Sequence, residues 1–261
     1  MTNQTLPAAR PLEPRPCALV LGASSGIGAA LTRLLAQNGY FVAAVARREA
    51  LLVELCAEIN EESESGPRAL YYSHNVTDYG AVPALFQKIA ADLGGLDLVI
   101  YSAAVQPTMT PDEYSFDKDE AMAKINLLGA MAWMGQAAIR FQRAGSGHIV
   151  GISSLAAVRG RRMNPGYNAT KAGLDTYLEA LRNRLTQNGA TVTTIRPGFV
   201  ETRLLENASS AMWVISPDEA ARQILKAIRR RKQTVYVPGR WRYVSLIITH
   251  TPSFIFRRLN I

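Results

Sequence analysis

The sequence predicts a doubly wound α/β domain, with about seven mainly parallel strands in one sheet and helices on both faces. Three observations carry that prediction. Short apolar runs of strand length alternate with amphipathic helical stretches along the chain, a pattern that implies βαβ crossovers. A glycine-rich turn, Gly22-Ala23-Ser24-Ser25-Gly26-Ile27-Gly28, joins the first apolar run to the first helical one. Side chains able to bind or react, among them Arg47, Asn75 and Ser102, fall just after apolar runs, and in open sheets ligands bind beyond the carboxyl ends of the strands.

The 261 residues are 48% hydrophobic and 19% charged, as expected of a globular chain with a large core. Cys17 and Cys56 are too few for a disulfide framework, so the chain reads as intracellular, reduced and cytoplasmic. His74, His148 and His250 are scattered, and no metal site is expected. The net charge of +8 comes without a helix-turn-helix, zinc-finger or RNA-binding signature. Nucleic acid is therefore not expected as a partner, while solubility, an anionic ligand and an anionic membrane surface remain as explanations. Residues 1–16 hold four prolines and no sustained apolar run; they read as a mobile tail, neither signal peptide nor span. The main domain is expected over 17–239, with 240–261 as a separate C-terminal segment.

Taken in order, Cys17 to Leu21 is a buried strand between a proline and a glycine. Ala29 to Asn38 has helical spacing, with Leu31, Leu34 and Leu35 on one face and Asn38-Gly39 as a stop. Strand, glycine turn and helix form a phosphate cradle: glycines let a pyrophosphate approach, and the helix start offers free N–H groups and partial positive charge. Tyr40 to Val45 is the second strand and ends in Ala46-Arg47-Arg48. An acidic residue here would suit the ribose 2′-OH of NAD, whereas arginine suits the 2′-phosphate of NADP. NADP(H) is thus expected over NAD(H), with Arg47 as the main anion partner, Arg48 in reserve and Ser24 as an added donor.

Glu49 to Glu61 is an amphipathic helix and Ala69 to Ser73 the third strand. A helix capped by Thr77 or Asp78 runs from about Tyr79 to Leu93, and Leu96 to Tyr101 is the fourth strand. Phe116 to Gln136 reads as a long helix interrupted around Asn126 to Gly129. His148 to Ile152 is the fifth strand and ends in Ser153-Ser154. Leu155 to Gly166 is a loop long enough to suggest function. It leads to Tyr167-Asn168-Ala169-Thr170-Lys171 at a helix start. Four residues apart on a helix, phenol and ammonium share a face, and a nearby cation favours the phenolate. The helix continues to Leu185, Thr191 to Ile195 is the sixth strand, and Arg196-Pro197-Gly198-Phe199-Val200-Glu201-Thr202 follows as an irregular turn.

With Ser154, Tyr167 and Lys171 in this order, the chain resembles the short-chain dehydrogenase/reductase family over roughly residues 17 to 238. The resemblance implies a Rossmann domain that interconverts a ketone or aldehyde and an alcohol. By that likeness Tyr167 exchanges a proton with the substrate oxygen and Ser154 hydrogen-bonds it. Lys171 lowers the tyrosine pKa and holds the nicotinamide ribose, and Asn126 keeps a water in a proton relay. Gly22, Ser24, Ser25, Gly26, Ile27, Gly28, Arg47, Arg48, Asn75, Val76, Ser102, Ala103, Ala104, Tyr167, Lys171, Pro197, Gly198, Val200 and Thr202 are the implied cofactor contacts. The family usually reads Asn-Asn-Ala-Gly where this chain has Tyr101-Ser102-Ala103-Ala104, and Asp where it has Asn75. The amide oxygen of Asn75 can still meet the adenine amino group. A homodimer or homotetramer is implied as well.

Only a short stretch, Arg203 to Ile215, precedes the Ser216-Pro217 helix start. Leu204, Leu205, Met212 and Trp213 would wall the substrate side. Arg159, Arg161 and Arg162 could meet an anion on the substrate, which suggests a 3-oxoacyl-thioester reductase as an alternative. A non-catalytic NADP-binding sensor or scaffold is a second alternative. Asp218 to Arg231 is a helix and Thr234 to Val237 the last strand. Residues 241–261 alternate apolar and basic patches around Pro252. The apolar run is too short to span a bilayer. It is expected to pack on the domain or a partner subunit, or to lie on a membrane.

Overall fold

The computed structural model describes residues 15–64, 66–205 and 211–259. The strands are β1 (Cys17–Leu21), β2 (Phe41–Ala46), β3 (Ala69–Ser73), β4 (Leu98–Tyr101), β5 (Gly147–Ile152), β6 (Ala190–Pro197) and β7 (Thr234–Val237). They form one seven-stranded sheet in the order β3-β2-β1-β4-β5-β6-β7, and every neighbouring pair is parallel. The order reverses between β1 and β4, so the crevice for a ligand opens above that pair.

Both faces of the sheet are covered. Ala18 and Val20 of β1 point to a core shared with α1 (Gly26–Gln37), α2 (Glu49–Glu61) and, near the C-terminus, the helix Pro217–Arg229. Leu19 and Leu21, one step out of phase, point to the opposite core, shared with α3 (Val82–Leu93). The same core takes Trp133 and Phe141 from one long helix and Leu174 and Leu178 from another. A strand turns successive side chains to opposite faces, and burial on both is why β1 and β2 are apolar throughout.

The element boundaries differ from the sequence reading in instructive places. The fourth strand begins at Leu98 because Asp97 turns its carboxylate back to accept from the Cys17 N–H at 2.7 Å. The interrupted helix is α4 (Phe116–Met122), a π-helical turn (Ala123–Leu128) and α5 (Gly129–Ala144). The wider turn loosens the carbonyl ladder, and Tyr101 Oη donates to the Ile125 carbonyl at 2.6 Å. A 3-10 turn, Leu155–Val158, shortens the long loop, and α6 (Pro165–Leu185) starts two residues before Tyr167. The helix Pro217–Arg229 is α7, and α8 (Trp241–His250) and α9 (Ser253–Phe256) form the C-terminal segment. Trp241, Ser245 and Ile248 of α8 are buried. Residues 1–14 of the expected tail, and residues 206–210 of the short stretch between Arg203 and Ile215, lie outside the described residues.

Candidate active site

The glycine turn is built for a close backbone approach. Gly22 has φ +82° and Gly26 +55°, a region that suits glycine. A Cβ on Gly22 would lie 2.5 Å from the Ala103 nitrogen after β4. A Cβ on Gly26 would lie 2.9 Å from Thr202 Cγ2, so the loop after β6 closes on the turn from the other side. The turn therefore leaves a cradle that any side chain would fill. Above it, Arg48 Nη2 donates to Ser24 Oγ at 2.8 Å and to Ser25 Oγ at 2.6 Å. Arg47 is exposed. Arg48, expected in reserve, folds back over the turn, because two serine hydroxyls there accept its hydrogen bonds.

Arg203 adds a cation that sequence reasoning missed. It and Arg47 both push the Arg48 pKa down, after burial. No spacing rule marks Arg203; it reaches the turn because the Thr202 loop does. Asn75 sits beyond β3, exposed, and its side-chain oxygen accepts from the Thr77 N–H at 3.2 Å. The oxygen expected to meet adenine is thus already engaged in a local turn. Val76 is buried beside it. Ser102 donates its N–H to the Leu21 carbonyl at 2.8 Å, which places Ser102, Ala103 and Ala104 over β1 at the crevice. On the far side, the Gly198 N–H donates to Val237, Pro197 ends β6, and Val200 bridges to Ile215. The residues present fit a dinucleotide with an extra phosphate: a glycine cradle, an open helix start at Gly26 to Gly28, and clustered guanidinium groups.

The reacting groups lie deeper. Tyr167 is 8% and Lys171 1% exposed. Lys171 Nζ stands 5.7 Å from the centre of the Tyr167 ring and donates to the Ile152 carbonyl at 3.0 Å. Burial pushes the phenol up to about 12, against the pull of Ser154 and of the Arg161 charge. Burial also pulls the Lys171 ammonium down to about 8, against Asp175. The cation that acts on the phenol here is thus Arg161, and the expected depression of the tyrosine pKa by Lys171 is replaced by a rise. In this crevice desolvation outweighs the charges. Ser154 caps the 3-10 turn, its Oγ accepting from the Ala156 N–H at 3.1 Å.

Asn126 is fully buried in the π-helical turn. Its amide bonds the Val105 backbone in both directions, at 2.8 and 2.9 Å, and reaches Thr170 Oγ1 at 3.3 Å. The side chain is therefore spent on tying the loop after β4 to α6. Met109, Met122, Val105, Ala156 and Leu204 pack around Tyr167 as an apolar pocket.

A polar chain behind Lys171 escaped the sequence reading. Arg196 Nε donates to Asp175 at 2.7 Å, and Arg196 Nη1 to Tyr236 Oη at 2.7 Å. Tyr236 Oη and Ser245 Oγ are 2.7 Å apart, so the chain runs from the lysine's helix to α8. Asp175 lies four residues after Lys171, and that spacing was the available signal.

The three loop arginines go three ways. Arg159 donates to the carbonyls of Ile248 and Thr251 and stacks 3.9 Å from the Phe256 ring centre. Arg162 is exposed. Arg161 turns inward, with Nε and Nη2 buried and free of hydrogen-bond partners among the described residues.

Comparisons with known proteins agree on one family. A family model described as short chain dehydrogenase matches residues 16–213. An uncharacterised oxidoreductase of Mycobacterium tuberculosis is 31% identical, over 88% of this chain and 90% of its own length. The ketoacyl reductase HetN of a Nostoc species is 30% identical, over 84% of this chain and 77% of its own. Among solved structures, a variant of actinorhodin polyketide ketoreductase with NADPH superposes with a TM-score of 0.78 at 25% identity, covering 86% of this chain and 96% of that one.

Proposed function

The chain belongs to the short chain dehydrogenase family, a family of oxidoreductases, and from that premise we propose that it reduces a ketone or aldehyde with NADPH, or runs the reverse oxidation. The observation that carries this reading is the buried Tyr167 phenol, acted on by Ser154 and set one helical turn before Lys171. A phenol whose pKa is pushed up to about 12 is protonated at neutral pH, which suits it to give a proton to a developing alkoxide. Ser154 would hold the carbonyl oxygen. Lys171, anchored on the Ile152 carbonyl, would orient a ribose hydroxyl and pass protons. Asn126, its amide tied to the Val105 backbone and Thr170, would keep a water in a proton relay to Lys171. The nicotinamide supplies or accepts the hydride when bound. Gly22, Gly26, Gly28, Ser24 and Ser25 would cradle its phosphates, and Arg48 with Arg47 and Arg203 would take the 2′-phosphate.

The preference for NADP is supported by this arginine cluster and by the NADPH in the ketoreductase neighbour. Fluorescence titration of the full chain is expected to show NADPH bound at least about tenfold tighter than NADH, as charge-assisted bonds to a phosphate require. Tyr167→Phe is expected to lower carbonyl reduction by about 10²- to 10⁴-fold while the chain still binds NADPH. Undiminished turnover in that variant would remove the assigned role of Tyr167.

A 3-oxoacyl thioester is the more specific substrate reading. It is favoured by the relative named a ketoacyl reductase and by the neighbour named a polyketide ketoreductase. A cytoplasmic homodimer or homotetramer built on α5 and α6 completes the proposal, and half-exposed Ile139 on α5 and Leu128 just before it suit such a contact.

A further inference from the structure

The net charge of this chain is not spread over it. Ten of the 29 Lys and Arg residues, and none of the 21 Asp and Glu residues, follow Glu219, so residues 220–261 carry all of the excess and the rest is slightly acidic. Within that region α8 and α9 present an apolar face. Tyr243 is 70%, Ile247 69% and Phe254 59% exposed, with Leu246, Ile255 and Leu259 also open. Tyr243, Leu246, Ile247 and His250 recur at helical spacing on α8, opposite the buried Trp241, Ser245 and Ile248. Arg240 and Arg242 stand at one end of this face and Arg257 and Arg258 at the other. Among the described residues no carboxylate pairs with any of the four.

We propose that the face formed by α8 and α9 docks on the surface of an anionic lipid bilayer. Exposed aromatic and aliphatic side chains flanked by arginines match the interfacial mode, in which apolar groups enter the headgroup boundary and cations meet lipid phosphates. No described helix is long and apolar enough to cross a membrane, so the contact is peripheral. A second copy of the chain fits less well. A twofold contact of this face with itself is self-complementary, and neither copy would bring a carboxylate of this segment to the arginines.

The face is also held rigid before any contact. Arg159 clamps the Ile248 and Thr251 carbonyls and stacks on Phe256. Trp241 packs in T-shaped contacts with Phe199 and Trp213. Docking therefore spends little on ordering the segment. The same Arg159 belongs to the loop before Tyr167, so the docked face adjoins the rim of the crevice.

The test is co-sedimentation of the purified full chain with vesicles of phosphatidylcholine and phosphatidylglycerol, against phosphatidylcholine alone. Sedimentation with the anionic vesicles, fading as salt is raised, is expected. Arg257→Gln with Arg258→Gln should weaken it about fivefold per charge, and Ile247→Ser with Phe254→Ser about tenfold or more. Melting temperatures close to the parent's would show that both variants fold, since all four side chains are exposed or at the chain end. Failure to sediment with anionic vesicles overturns the proposal, as does sedimentation that neither variant changes. Light scattering without lipid is the second arm. If the Ile247 and Phe254 variant splits an oligomer, the face belongs to a second copy and the proposal falls.

Discussion

The glycine turn and the tyrosine pocket open on one crevice but treat charge in opposite ways. At the turn, Arg47, Arg48 and Arg203 crowd together, partly solvated, with serine hydroxyls and no carboxylate as the neighbours that act on Arg48. Such a cluster is poised for a ligand that stays anionic throughout the working pH range. In the pocket, Tyr167 and Lys171 are almost wholly buried, and burial moves both toward their neutral forms. A phenol kept protonated by its dry site has a proton to give to a developing alkoxide. The contrast teaches that binding and chemistry need different surroundings. Solvated cations suffice to hold a phosphate, whereas a proton donor needs a dry site and something behind it to carry the lysine's charge.

That supporting role falls to Asp175, and among the residues around the reacting groups and the turn its loss should have the largest effect. Asp175 is 11% and Arg196 25% exposed in their side chains. Breaking a buried pair leaves one charge unmatched, and the partial exposure of Arg196 moderates the loss. Asp175→Asn should lower stability by about 2 kcal/mol, measured by urea unfolding. Asp175 raises the Lys171 pKa, so the variant should also move any activity limb near pH 8 to lower pH. Unchanged stability and an unmoved limb would mean that the pocket keeps its lysine without help, and the contrast would weaken.

The second prediction works at the other pole. Arg48→Leu should raise the NADPH dissociation constant by about tenfold or more, the range of a charge-assisted bond, and leave NADH binding nearly unchanged. Arg47→Leu should cost only a few-fold, because exposed Arg47 contributes through space and solvent screens it. An equal loss in the two variants would return Arg47 to the role its position after β2 first suggested.

How much of this was legible follows the range of the interactions. The strands and the glycine turn were legible because each rests on local periodicity or a fixed spacing, and Ser154, Tyr167 and Lys171 were singled out by the family resemblance. The position of the Arg48 side chain was not legible, since it depends on where a flexible side chain finds acceptors, here Ser24 and Ser25. Asn126 could be placed as a helix interruption, but its partners, Val105 and Thr170, are distant in sequence. The direction of the Tyr167 shift was missed for a related reason. Spacing shows that Lys171 is near, but only the packed surroundings show that desolvation exceeds the charge effect.

Arg161 gives the smallest effect and the sharpest probe of the pocket. Its guanidinium is pushed below the usual arginine value by burial, and its charge pulls the Tyr167 pKa down from where burial alone would set it. Arg161→Met removes that charge, so the phenol's pKa should rise. Alcohol oxidation needs the phenolate, and its rate climbs with pH toward the tyrosine pKa. In the variant the alkaline limb should therefore move to higher pH, and oxidation at any fixed pH below it should slow. Carbonyl reduction between pH 7 and 9 uses the protonated phenol, which dominates with or without the guanidinium, so its pH profile should keep its shape. Initial-rate profiles in both directions decide the matter. A limb that stays in place would mean that the Arg161 charge is spent elsewhere, and that the pocket governs its tyrosine by dryness alone.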